Sequence, residues 1–184
     1  MIKKTLLVSG FLAMIFACEK DDNKVDTPTD EHEEELITSV DVEVQHVGSE
    51  TTNTYSFKDL DGPGGNEPTQ LDTIYLIENS RHDVSLSFLN ESENPAENIT
   101  AEISEEADEH IICFESSNGD VIVNRSDSDG TYEIGLESTW TSSNAGSVSS
   151  MTITLKHQGT DKDGTCTPGE TDVEVVFPVK ILGL

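Results

Sequence analysis

The chain has 184 residues, 34% of them hydrophobic and 5% aromatic, enough for one domain with its own core. Ten Lys and Arg stand against 37 Asp and Glu, a formal net charge of −27. A surface of that sign repels phosphate backbones and anionic lipid, which argues against nucleic-acid binding and leaves cations, basic partners and plain solubility as its uses.

The first predicted element is a leader over residues 1–17. Lys3 and Lys4 make it basic, and Leu6 to Phe16 is apolar but too short to span a bilayer. Ile15-Phe16-Ala17-Cys18 resembles a bacterial lipobox, with Cys18 as the acylated residue. Several acyl chains on one residue anchor a protein firmly. Glu19-Lys20-Asp21-Asp22 resembles the lipoprotein export signal of Bacteroidota, a lysine followed by two acids. On that resemblance Lys20, Asp21 and Asp22 imply display on the outer face of the outer membrane. Residues 18–35 continue as an acidic tether without apolar periodicity, held extended by like charge. His32 among Glu31, Glu33, Glu34 and Glu35 is either a weak metal tract or part of that solvated linker.

From Leu36 to the end, residues 36–184, the period becomes two and a single β-sandwich domain is predicted. Val40, Val42 and Val44 alternate with polar residues, as do Tyr55 and Phe57. Leu71 to Ile77 is apolar on both faces and reads as a central strand. Val84, Leu86 and Phe88 mark the next strand. Asn94 as cap, Pro95 at the first helical position, and Ala96, Ile99, Ile103 and Ala107 at helical spacing predict one short amphipathic helix. Strands follow at Ile111–Phe114, Val121–Val123, Tyr132–Leu136 and Met151–Leu155. A long last strand runs from Val173 to Ile181, where Pro178 points to an edge or a bulge. Short strands separated by turn clusters, with no repeated strand–helix–strand units, predict an all-β, immunoglobulin-like antiparallel sandwich with one helix.

Three loops concentrate carboxylates. Asp127 and Asp129 precede Gly130, Asp161 and Asp163 precede Gly164, and Asp59 and Asp61 precede a glycine-rich turn. Each is either an Asp-rich turn or the start of a Ca²⁺ site, since Ca²⁺ takes several hard oxygens at flexible geometry. Neither of the first two continues as an EF-hand, and Lys162 puts a cation inside one of them. His110 ends the predicted helix, where a histidine suits the helix dipole. His46, His82 and His157 are scattered along the chain. With Cys18 acylated, Cys113 and Cys166 remain as a candidate disulfide pair, one in a strand and one in a glycine-rich loop, positions that neither join nor separate them. Asp72-Thr73-Ile74 resembles the O-glycosylation motif of Bacteroidota, with Thr73 as acceptor, unless a central strand buries it. No phosphate loop, nucleophile elbow or His-Glu-x-x-His pair is present, so no enzyme is read here.

Several stretches together resemble an uncharacterised family of Bacteroidota surface lipoproteins. They are the acidic tether leading into Glu35-Leu36-Ile37-Thr38, the run Asp59-Leu60-Asp61-Gly62-Pro63-Gly64-Gly65, Ile99-Thr100, Glu105-Glu106-Ala107-Asp108-Glu109-His110, and Gly169-Glu170-Thr171-Asp172 before Phe177-Pro178-Val179. The family commonly carries the label "type 1 periplasmic binding fold". That fold needs two lobes of parallel sheet and crossover helices, and this sequence has neither. The resemblance implies an outer-membrane lipoprotein, exposed at the cell surface, that accompanies a TonB-dependent receptor. It supplies no catalytic residues. The expected function is a non-enzymatic binding or accessory module for outer-membrane transport. The alternative is a structural or adhesive module, Ca²⁺-stabilised.

Overall fold

Eight residues from Ser39 to His46 set the pattern of the molecule. Val40, Val42 and Val44 are buried while Glu43 is exposed, so this strand, β1, has one dry face and one wet face. The same alternation recurs through β5 (Arg81–Leu89), β8 (Glu137–Ser142), β9 (Val148–His157) and β10 (Glu170–Leu182), whereas β2 (Thr52–Lys58) is exposed to half-buried throughout, β6 (His110–Ser116) buries its first three residues and β7 (Val121–Arg125) buries Val121. Two short strands, β3 (Gln70–Leu71) and β4 (Ile74–Ile77), and one helix, α1 (Ile99–Glu105), complete the set. The computed structural model describes residues 36–183 apart from Pro63 and Ser147. The predicted leader, Cys18, the export residues Lys20, Asp21 and Asp22, and the tether with His32 lie outside the described residues.

The strands form two sheets, a six-stranded one in the order β3-β2-β1-β5-β8-β7 and a four-stranded one in the order β4-β10-β9-β6. The order β1-β5-β8-β7 facing β6-β9-β10 reproduces the A-B-E-D and C-F-G sheets of an immunoglobulin-type sandwich, with β2 and β3 added beside β1. One pairing departs from the antiparallel rule: β4 runs parallel to β10, Ile74 opposite Val179. The core lies between the inner faces and is built from Val42, Phe88, Trp140, Ile153, Phe177 and their neighbours, all at most 1% exposed. The helix buries Ile99 and Ile103, two of its four predicted apolar positions, while Ala96 and Ala107 fall outside it, and Thr100 Oγ1 accepts the Phe88 N–H at 2.7 Å.

Four local expectations are corrected. Leu71 to Ile77 is two edge strands in different sheets, not one central strand, and Asp72-Thr73 is the crossover between them. It is apolar on both faces because the chain changes sheets within it. Thr73 is therefore half-buried in a crossover, outside any ladder. The helix begins at Ile99 with Asn98 at its cap position, not at Pro95. Asn90 and Glu97 exchange backbone hydrogen bonds at 3.1 and 3.0 Å, which commits residues 91–96 to a closed loop. Tyr132–Leu136 forms only a single bridge at Glu133, because the Asp127 carboxylate takes the Gly135 and Leu136 N–H groups that a ladder would use. The strand there is β8, beginning at Glu137, which the sequence reading missed. Pro178 is exposed on β10, one residue before the β4 ladder begins, so β10 pairs only with β9 at that point.

Candidate functional site

The strand directions bring the long connections to one end of the sandwich. The segment after β5 with α1, the turn 106–109, the loop 126–136 and the loop 158–169 all lie there, and they enclose the strongest candidate site. Its central contact is an ion pair. Lys162 Nζ reaches Asp129 Oδ2 at 2.7 Å, with side chains only 3% and 6% exposed, and also donates to the Ala107 carbonyl at 2.6 Å. Asp129 Oδ1 accepts the Thr131 and Tyr132 N–H groups at 2.6 and 2.7 Å. The lysine first, and then these amides, hold the Asp129 carboxyl down to about 2. Two of the predicted aspartate loops thus meet, but across an ammonium group.

Of the remaining predicted carboxylates, Asp127, Asp163 and Asp61 accept hydrogen bonds from their own loops. Asp127 receives Gly135 N–H and Leu136 N–H at 2.8 and 2.9 Å. Asp163 receives the Thr165 hydroxyl and N–H, which lower its pKa from the ordinary carboxylate value. Asp161 is exposed in a single 3₁₀ turn, Gly159–Asp161. Asp61, in the separate loop between β2 and β3, receives Asn66 N–H and Nδ2–H at 2.9 and 2.6 Å, which lower it, while loss of solvent and contact with Asp61 raise Asp59. Among the described residues no group of three or more His, Cys, Asp and Glu converges to hold a metal ion.

Cys113 and Cys166 form a disulfide that ties the 158–169 loop to β6. Arg125 supports the same corner: Nε donates to the Ile112 carbonyl at 2.7 Å and Nη2 approaches Cys166 Sγ at 3.4 Å. Gln158 Nε2 bonds the Thr165 and Pro168 carbonyls at 2.8 and 3.0 Å, closing the loop on itself. The loop lies so close to β9 that a Cβ at Gly169, where φ is +83°, would stand 2.2 Å from the His157 carbonyl oxygen. Only glycine fits there.

Two clefts flank this corner. One, of about 370 Å³, is lined by Asp108, Glu109, Thr131, Tyr132, Thr160 and the buried pair. The other, of about 400 Å³, lies along the outer face of the four-stranded sheet beside the disulfide, with Thr152, Thr154, Lys156 and Glu174. The first is the better candidate, because its floor is a fixed charge pair and its wall contains the aromatic Tyr132. Carboxylates and hydroxyls dominate its rim, which suits a cationic or hydrogen-bonding group. Sequence reasoning found Asp129 and noticed Lys162, but not that they pair; a lysine between two aspartates was the available signal. It missed Tyr132 as a rim residue by placing it in a strand, and it gave Arg125 no role. Among the described residues no helix is long and apolar enough to cross a membrane. No family model, no curated protein and no solved structure matches the chain.

Proposed function

We propose that this chain is a lipid-anchored, surface-displayed binding module without enzymatic activity, serving an outer-membrane transporter of the TonB-dependent kind. Its α1 end grips the ligand or the receptor. The observation that carries the reading is the preformed cleft at that end, held by a disulfide, a buried ion pair and a closed loop. Pre-organisation of that sort lowers the ordering cost of binding. The lipobox-like Ile15-Phe16-Ala17-Cys18 and the acidic residues after it supply the anchoring side of the proposal. Cys18 would carry the lipid, and the tether would hold the sandwich clear of the anionic surface that its own charge repels.

The test is a native pull-down of the tagged full-length chain from solubilised outer membranes, repeated with Tyr132→Ala and Thr131→Ala. A stoichiometric barrel protein that is lost from the variant samples supports the reading. No barrel in any sample, with about one or two Ca²⁺ bound per chain, replaces it with the calcium-stabilised adhesive module.

A further inference from the structure

Four of the five histidines stand as two cross-strand pairs, one in each sheet. His46 faces His82 in the β1–β5 ladder, with ring centroids 5.5 Å apart, and His110 faces His157 in the β6–β9 ladder, with centroids 4.7 Å apart. The strand directions put them at opposite ends of the sandwich. The second pair adjoins residues that line the candidate cleft: Asp108 and Glu109 precede His110, and Gly159 and Thr160 follow His157.

The β6–β9 ladder pairs His110 with His157, and further contacts join the turn 106–110 to the end of β9 and its loop. Gln158 N–H donates to the Glu109 carbonyl at 2.6 Å, and Lys162 donates to Ala107. Two more are made by imidazoles: His157 Nε2 with Glu109 Oε2 at 3.0 Å, and the face of His157 against His110. His110 is 1% exposed, and its Nδ1 lies 3.1 Å from the Glu106 carbonyl, which fits a neutral ring donating there. We propose that the His110–His157 pair is an acid-sensitive latch on the cleft: protonation of both rings parts the α1–β6 turn from the end of β9 and loosens the cleft wall. The proposal assigns a regulation to the binding site proposed above and rests on that reading for its biological meaning.

The charges around the pair favour this outcome. The Glu109 carboxylate faces His157 Nε2, so that side of the pair has a negative partner. A second charge, on His110, would be buried against the His157 ring. Glu106, at the end of α1, turns its backbone carbonyl to His110. Glu170 of β10, in register with His157, is exposed, Lys156 faces the other side of the sheet, and Lys162 is committed to Asp129. Burial first, and then His157, lowers the His110 pKa, which agrees with a closed state that rejects the second proton. An opened turn exposes both rings and accepts both protons, so acid selects the open form.

Hydrogen exchange on the full chain, corrected for the pH dependence of intrinsic exchange, reads the latch without any ligand. Protection across residues 106–112 and 157–165 is expected to fall about tenfold between roughly pH 7.5 and 5.5, the factor that one pKa unit represents. His157→Gln keeps a donor for Glu109 and cannot gain a charge, so its protection should stay flat with pH. His110→Asn, which retains a short donor toward Glu106, should do the same. The His46–His82 end should respond identically in wild type and variants. Flat protection in wild type, or an equal fall in both variants, overturns the latch. Should His110→Asn not fold, the half-exposed His157 position decides alone. A barrel partner with flat protection would remove the latch and leave the binding function standing; a pH-dependent latch with no barrel would do the reverse.

Discussion

The two ends of the sandwich are built by different means. At the α1 end the connections are long and are fixed by strong, specific devices: a covalent bond, a buried ion pair and an arginine against a carbonyl. At the opposite end the turns are short and hold one another through serine, asparagine and backbone groups. Asn79 N–H donates to the Ser143 carbonyl, Ser143 N–H to the Asp120 carbonyl, and Ser142 Oγ bonds the Ile77 and Ser80 carbonyls. Tight turns saturate their own backbone and need little else. Long loops must immobilise many residues, and each immobilised residue costs conformational entropy. The end that carries strong clamps is therefore the end whose shape matters, which is why the cleft there is the better candidate site.

Removing the covalent clamp should break this comparison most. The Cys113–Cys166 bridge spans 53 residues, and in the chain-entropy model such a loop contributes about 4 kcal/mol. Denaturant unfolding of the Cys113→Ser/Cys166→Ser double variant, followed by the single tryptophan, Trp140, should show a loss of that order. A loss under about 1 kcal/mol would mean that the loop is held by its other contacts. Lys162→Met comes next. It leaves Asp129 buried without its cation, and breaking one partner of a buried pair costs about 3 kcal/mol. Pairing it with Asp129→Asn should recover much of that loss in the same measurement. If Lys162→Met instead gains stability on adding Ca²⁺ while wild type ignores both Ca²⁺ and chelator, the lysine stands where an ion would otherwise sit.

Acid should act on the two ends alike at first and then separately. His82 and His110 are each 1% exposed, and burial is the leading cause lowering both pKa values below 6.5. A depressed histidine binds fewer protons folded than unfolded. Its stabilising effect is complete above about pH 6.5 and is lost as pH falls from there toward the folded value. Asp129 works at lower pH. Its carboxyl, held at about 2 by Lys162, contributes stability above its ordinary 3.8 that is lost as pH falls toward 2. A stability profile should thus decline in two steps, and Lys162→Met should shrink the lower one, to which the lowered Asp61 and Asp163 also contribute, while leaving the upper one.

Much of the sandwich was legible because burial on one face forces a period of two, and Val40–Val44, Val84–Phe88, Met151–Leu155 and Val173–Ile181 obey it. The β8 strand was not, since its inward residues are Ser138, Trp140 and Ser142, and two serines do not read as apolar. They are buried because hydrogen bonds satisfy them: Ser138 Oγ accepts the Trp140 indole N–H at 3.0 Å, and Ser142 bonds two carbonyls. The site was half legible. Asp127, Asp129, Asp161 and Asp163 stood out by composition, yet their partners are backbone amides, and Lys162 comes from a loop 33 residues away from Asp129 in sequence. Long-range pairing of that kind leaves no local pattern. The histidine pairs were hidden for the same reason, since each joins residues whose only relation is strand register.

The smallest expected effect sharpens the contrast from the other side. Asp120 lies in the turn after β6, where its Oδ1 accepts the Ser143 hydroxyl at 3.0 Å and its carbonyl accepts the Ser143 N–H at 2.8 Å. Asp120→Ala removes the side-chain bond and keeps the backbone one, so it should cost about 1 kcal/mol at most. Exchange protection should fall only in residues 117–120 and 142–146. If it also fell around Lys162, at the far end of the strands, the two ends would be one cooperative unit, and a clamp at either end would stabilise the cleft. If it does not, the sandwich core between them insulates the cleft from changes at the turn end, and its shape is set by the clamps at its own end.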